Sequence, residues 1–110
     1  MNQLAAIALV LGLVAAPLQP APTNQPAERR TFTVLIKGFQ FVPETLEVQS
    51  GDTVIWKNED IVPHTATAKS VFDSKEIGPG KSWTTVVKQK GKHPYICTYH
   101  PTMHGELVVK

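Results

Sequence analysis

TFTVLIKGFQFVPETLEVQSGDTVIWK, residues 31–57, is the stretch on which the fold turns. Phe32, Val34 and Ile36 alternate with Thr31, Thr33 and Leu35, which is the two-residue period of a half-buried strand rather than a helical period. Gly38 interrupts, Phe39 to Val42 leads into Pro43, and Leu46 and Val48 alternate with Thr45, Glu47 and Gln49. Ser50-Gly51-Asp52 has turn chemistry, and Thr53 to Lys57 opens the next β-branched run.

The same rhythm continues downstream. Asn58-Glu59-Asp60 marks a corner, and Thr65 to Ala68 reads as a short strand. Lys69 to Lys81 is irregular, with Gly78-Pro79-Gly80 forbidding a continuous helix. Ser82 to Lys88 is strand-like, Lys90-Gly91-Lys92 reads as a turn, Tyr95 to Cys97 enters another strand, and Glu106 to Val109 closes the chain. No segment offers three helical turns. The expectation is an all-β, Greek-key β-sandwich of about seven to eight short strands.

Upstream the chemistry changes. All 20 charged residues lie from Glu28 onward, and residues 1–27 carry none. Leu4 to Ala16 is an uncharged apolar run of 13 residues, short of the roughly 20 that span a bilayer. Residues 1–16 therefore read as a signal peptide or an uncleaved anchor. Residues 17–28, with four of the nine prolines, read as an extended spacer. Residues 29–110 form the domain. Export to the periplasm or another extracytoplasmic space is expected, with membrane tethering only if the apolar run is retained.

Composition narrows the function. Eleven basic against nine acidic residues, dispersed along the domain, give no electrostatic footprint for nucleic acid. A domain of this size has no room for an elaborate catalytic scaffold. The single cysteine, Cys97, cannot form an intramolecular disulfide.

The run Tyr95-Ile96-Cys97-Thr98-Tyr99-His100-Pro101-Thr102-Met103-His104-Gly105 gives that thiol company. Cys97, His100 and Met103 stand three residues apart in a loop broken by Pro101. Thiolate, imidazole and thioether turned toward one point suit copper cycling between Cu(I) and Cu(II). A second imidazole is needed, and His64, 33 residues before Cys97, is the best candidate. Loops from sequence-distant strands gather at one end of a sandwich.

Three motifs, Gly51-Asp52-Thr53-Val54-Ile55-Trp56-Lys57-Asn58, Pro63-His64 and Cys97-x-x-His100-x-x-Met103, occur in that order. In them the chain resembles the cupredoxins, the small blue copper proteins, most closely the amicyanin and plastocyanin group. The resemblance covers most of residues 31–110. It implies His64, Cys97 and His100 as strong equatorial ligands of one type 1 copper, with Met103 as a long axial ligand. It implies one-electron transfer between larger redox proteins, which dock transiently near His100, and no small-molecule substrate. A monomer is expected. Three positions depart from the pattern: Thr65 stands where asparagine is common, Tyr99 where proline is frequent before the second histidine, and His93 where tyrosine is common.

Blander readings exist for each residue. A lone cysteine is usually a small buried hydrophobe, His64 could be a turn residue, and Met103 alone would be core. His93 and His104 are read as non-ligands, and Trp56 and Trp83 as core. Three other functions could use this chain: Cu(I) storage or trafficking through the same ligands, an enzyme with Cys97 as nucleophile and His100 or His64 as base, and a metal-free adhesion sandwich. The enzyme lacks an evident orienting residue or oxyanion site, and adhesion leaves the donor set unexplained.

Overall fold

A computed structural model describes residues 8–18 and 28–110. Ala8 to Leu18 is exposed and without regular secondary structure. The remainder of the expected signal peptide or anchor, and residues 19–27 of the expected spacer, lie outside the described residues. Among those described, no helix is long and apolar enough to cross a membrane.

The domain contains nine strands among the described residues: β1 (Thr31–Lys37), β2 (Gln40–Val42), β3 (Thr45–Val48), β4 (Thr53–Asn58), β5 (Thr67–Ala68), β6 (Phe72–Asp73), β7 (Ser82–Val86), β8 (Gly91–Ile96) and β9 (His104–Val109). They form a four-stranded sheet, β2-β1-β4-β7, and a five-stranded sheet, β3-β9-β8-β5-β6. The chain changes sheet between β2 and β3 and back again before β4. That excursion lets β1 and β4 pair in parallel, with Thr31 opposite Thr53 and Ile36 opposite Asn58. β3 and β9 are likewise parallel.

The all-β sandwich expected from the alternation is what forms. Val34 and Ile36 of β1 and Val54 and Trp56 of β4 are fully buried, facing Tyr95, Leu107 and Val109 of the other sheet. Trp56 is the hub of this core. Its ring lies 5.2 Å from that of Phe72, 5.5 Å from Trp83 and 5.6 Å from Tyr95, centroid to centroid. Trp83 is half-buried at the rim of the same cluster.

Two strands escaped the sequence pattern. β2 and β6 are three and two residues long, too short to display alternation. The expected turn at Lys90-Gly91-Lys92 is corrected: β8 already begins at Gly91, which pairs with Val109 and has φ +130°, a conformation natural to glycine. Pro94 sits inside β8, yet β5 touches that strand only opposite Ile96. One side of β8 is therefore open at Pro94, where a missing N–H removes no ladder bond from a neighbour.

β8 carries His93, Tyr95 and, just beyond its end, Cys97 on one buried face. Tyr95 lies over Gly105, its register partner on β9. A β-carbon at Gly105 would come within 2.5 Å of the Tyr95 ring, so only glycine fits. Burial pushes the Tyr95 hydroxyl up to about 12. Gly105→Ala is expected to destabilise the domain by about 1–3 kcal/mol through overpacking, read as a lower urea midpoint with an unchanged m-value.

At one end of the sandwich, the Asp52 carboxylate accepts hydrogen bonds from the amides of Arg30 (2.9 Å) and Gln49 (2.8 Å). These bonds hold its pKa below the ordinary value. The Gly51-Asp52 turn thereby ties the entry to β1 to the end of β3. The loops that bear His64, His100 and Met103 lie at the other end.

Candidate metal centre

The segment between β4 and β5 is irregular but firmly held. Asn58, fully buried, donates from Nδ2 to the carbonyls of Val62 (2.8 Å) and Ile77 (2.9 Å), while its Oδ1 accepts the Asp60 amide (2.9 Å). His64 then exchanges backbone hydrogen bonds with Ile77 in both directions, at 3.1 and 2.7 Å. Its side chain is completely buried. The ring Nε2 lies 2.8 Å from Oδ2 of Asp60. A carboxylate there accepts the Nε2 proton, so Nδ1 is left with its lone pair toward the centre.

Asp60 has other partners. Its Oδ1 accepts the Gly38 amide at 2.7 Å and its Oδ2 the Phe39 amide at 3.0 Å. Burial would raise its pKa, but these two amides and His64 outweigh it and hold the pKa below the ordinary value. The group stays anionic and keeps its grip on the imidazole.

The second arm is the β8–β9 connection. It closes on itself: the Cys97 amide donates to the Met103 carbonyl (3.1 Å), and the Met103 amide donates to the His100 carbonyl (2.8 Å). Cys97 is completely buried, Met103 is buried, and His100 is half-buried. Thr65 joins the two arms. Its amide donates to the Cys97 sulfur at 3.3 Å, and its hydroxyl oxygen accepts the Thr98 amide at 2.9 Å. The hydroxyl thus braces one loop against the other. Tyr99 ties the same arm elsewhere, donating from its hydroxyl to Glu76 at 3.3 Å.

These constraints bring three sequence-predicted residues together. The donor atoms of His64, Cys97 and His100 all lie within 4.8 Å of one another. Each imidazole presents Nδ1 to the sulfur at 3.7 Å. That separation is long for a hydrogen bond. Two bonds of about 2.0–2.3 Å from a shared metal, opened to a trigonal angle of about 120°, span it. Met103 is buried at the end of the same loop and lines a groove with Phe39, Thr102 and His104.

A family model for the cupredoxin-like domain matches residues 4–109. The chain belongs to the cupredoxin-like family. Amicyanin-alpha of Methylorubrum extorquens is 28% identical over 113 residues, covering 97% of this chain and 92% of that protein. Plastocyanin of Vicia faba is 30% identical over 92 residues, covering 66% of this chain and 89% of its own. Among solved structures, a Cu(I) form of an amicyanin mutant matches with a TM-score of 0.69 at 26% identity, over 73% of this chain and 82% of that one. A copper-containing nitrite reductase from Thermus scotoductus matches with a TM-score of 0.69 at 30% identity, over 84% of this chain but 25% of the enzyme. The cupredoxin fold therefore also occurs within enzymes.

The donor set of this cupredoxin fits copper. One cysteine sulfur and two imidazoles gathered within 4.8 Å, with a thioether at the loop end, are the ligand types that serve both of its oxidation states. The two histidines read as non-ligands stand apart. His93 is buried with Nε2 2.6 Å from the Gln89 carbonyl, and His104 is exposed and 3.2 Å from Glu44. Asp60 and Phe39 escaped the sequence reading, because nothing in the pattern marks a turn and a carboxylate 21 residues apart as neighbours of one histidine. Thr65→Val leaves the Thr98 amide without its acceptor. It is expected to cost about 1–3 kcal/mol, measured by urea unfolding of the copper-free protein.

Proposed function

We propose that the protein is a small exported blue copper protein that shuttles single electrons between larger redox proteins. His64, Cys97 and His100 would hold one copper ion, with Met103 as the weak axial ligand. The observation that carries this reading is the buried Cys97 sulfur with an imidazole Nδ1 at 3.7 Å on either side. Copper bound there supplies a one-electron couple between Cu(I) and Cu(II).

The protein's own part is to keep the donors still. Asp60 fixes the tautomer and direction of His64, the Thr65 amide stabilises negative charge on the Cys97 sulfur, and the Thr65 hydroxyl locks one arm to the other. A cage already set before the electron arrives needs little nuclear rearrangement when it does.

Access is uneven. His64 and Cys97 are closed off, whereas His100 reaches half-burial. Phe39 packs against its ring, and its chain neighbours Tyr99, Pro101 and Thr102 are uncharged and exposed. That surface suits brief docking of a partner, with His100 as the shortest way in. The buried thiol is poorly placed for handing metal to a carrier, which favours electron transfer over Cu(I) storage.

Titrating Cu(II) into the purified protein is expected to produce an intense blue thiolate-to-copper band and narrow hyperfine splitting in the electron paramagnetic resonance spectrum. Cys97→Ser is expected to abolish both. A colourless protein, or colour that survives the substitution, contradicts the site. Ready loss of Cu(I) to a weak chelator would move the function to storage. Export rests on the apolar run at residues 4–16. The mature chain from the native host is expected to lack that run; recovery of the full mass in a soluble cytoplasmic fraction contradicts export.

A further inference from the structure

The two imidazoles are held unequally. His64 is buried, bonded at Nε2 to Asp60 and paired through its backbone to Ile77. For His100, among the described residues, the only polar side-chain contact is with the Cys97 sulfur at 3.7 Å. Its other ring neighbours are aromatic. Phe39 stands 5.0 Å away at 86° and His64 5.1 Å away at 60°, between centroids and planes. Phe39 meets His64 as well, at 5.3 Å and 90°. One phenyl ring is therefore perpendicular to both imidazoles.

Phe39 reaches that position through an uncommon backbone. Its φ is +59° and that of Gly38 is +61°, two successive left-handed residues in the tight turn between β1 and β2. Glycine takes this conformation freely, and phenylalanine does not. The ring is 49% exposed, so core packing does not account for it. What holds the turn is the Asp60 carboxylate, which accepts both amides and the His64 ring together.

We propose that Phe39 is a positioning residue for the metal centre, its ring fixing the orientation of His100 relative to His64. The proposal rests on the ligand assignment made above. Edge-to-face contacts with both rings resist rotation of the loosely tethered imidazole. His100 thus keeps one arrangement when the charge at the centre changes by one electron, although among the described residues no hydrogen bond anchors its outer nitrogen.

Phe39→Leu and Phe39→Tyr test this, since both keep the left-handed backbone burden and only the second keeps the ring. Mobility of the His100 imidazole is read by NMR relaxation in the copper-free proteins, and electron self-exchange by NMR line broadening in the loaded ones. In Phe39→Leu the population of released His100 orientations is expected to rise by about twofold to tenfold, the range a lost aromatic pair allows. Self-exchange should slow several-fold. Phe39→Tyr should match the parent in both, and the Tm of all three copper-free proteins should agree closely. A leucine variant with parental ring mobility and self-exchange overturns the proposal. So does a tyrosine variant as perturbed as the leucine one, or a leucine variant that fails to fold, which would make the ring a packing element. A parent that never turns blue counts against the ligand assignment, while the copper-free comparison still reads Phe39 separately.

Discussion

The Asp60 carboxylate takes three donors, the His64 ring and the amides of Gly38 and Phe39, and through them it ties the β1–β2 turn to the segment between β4 and β5. Remove that charge and the consequences spread. The His64 tautomer loses its director, the β1–β2 turn loses the acceptor for two left-handed amides, and the ring facing both imidazoles loses its mooring. The carboxylate can do this because it is already paid in hydrogen bonds, which keep it ionised despite partial burial.

Thr65 complements it on the other side of the centre. Asp60 orients the His64 ring from behind, whereas Thr65 fastens the loop bearing His64 to the loop bearing Cys97. The two devices differ in strength as well as place. One is a charge-assisted contact, the other a neutral hydroxyl and a long contact to sulfur. Together they explain how side chains 33 residues apart in sequence have their donor atoms within 4.8 Å of one another. Rigidity here is local, built on loops that the two sheets bring to one end.

Much of the fold was legible because burial imposes a period. Phe32, Val34 and Ile36, and likewise Val54 and Trp56, could not alternate as they do without one face turned inward. His93, Tyr95 and Cys97 follow the same rule across Pro94. β2 and β6 were invisible as strands because they have too few residues to show a period, and their existence depends on neighbours supplied by the fold. At the site, the local spacing of Cys97, His100 and Met103 could be read directly, and His64 as an imidazole on a loop that a sandwich gathers at one end. Asp60 and Phe39 could not. Their roles arise from loop geometry, where a carboxylate and a turn meet only after β1 and β4 have paired in register.

The direction of β1 has a bearing on how the molecule stands in its surroundings. It starts at Thr31, opposite Thr53 beside the Asp52 turn, and ends at Lys37, next to the turn held by Asp60. Its seven residues cover about 20 Å, so the polypeptide joins the sandwich at the pole away from His64 and His100. Under the proposed function, a tether attached through that pole would leave the end bearing His64 and His100 pointing outward. Orientation toward a partner would then follow from chain polarity alone, before any surface contact is made.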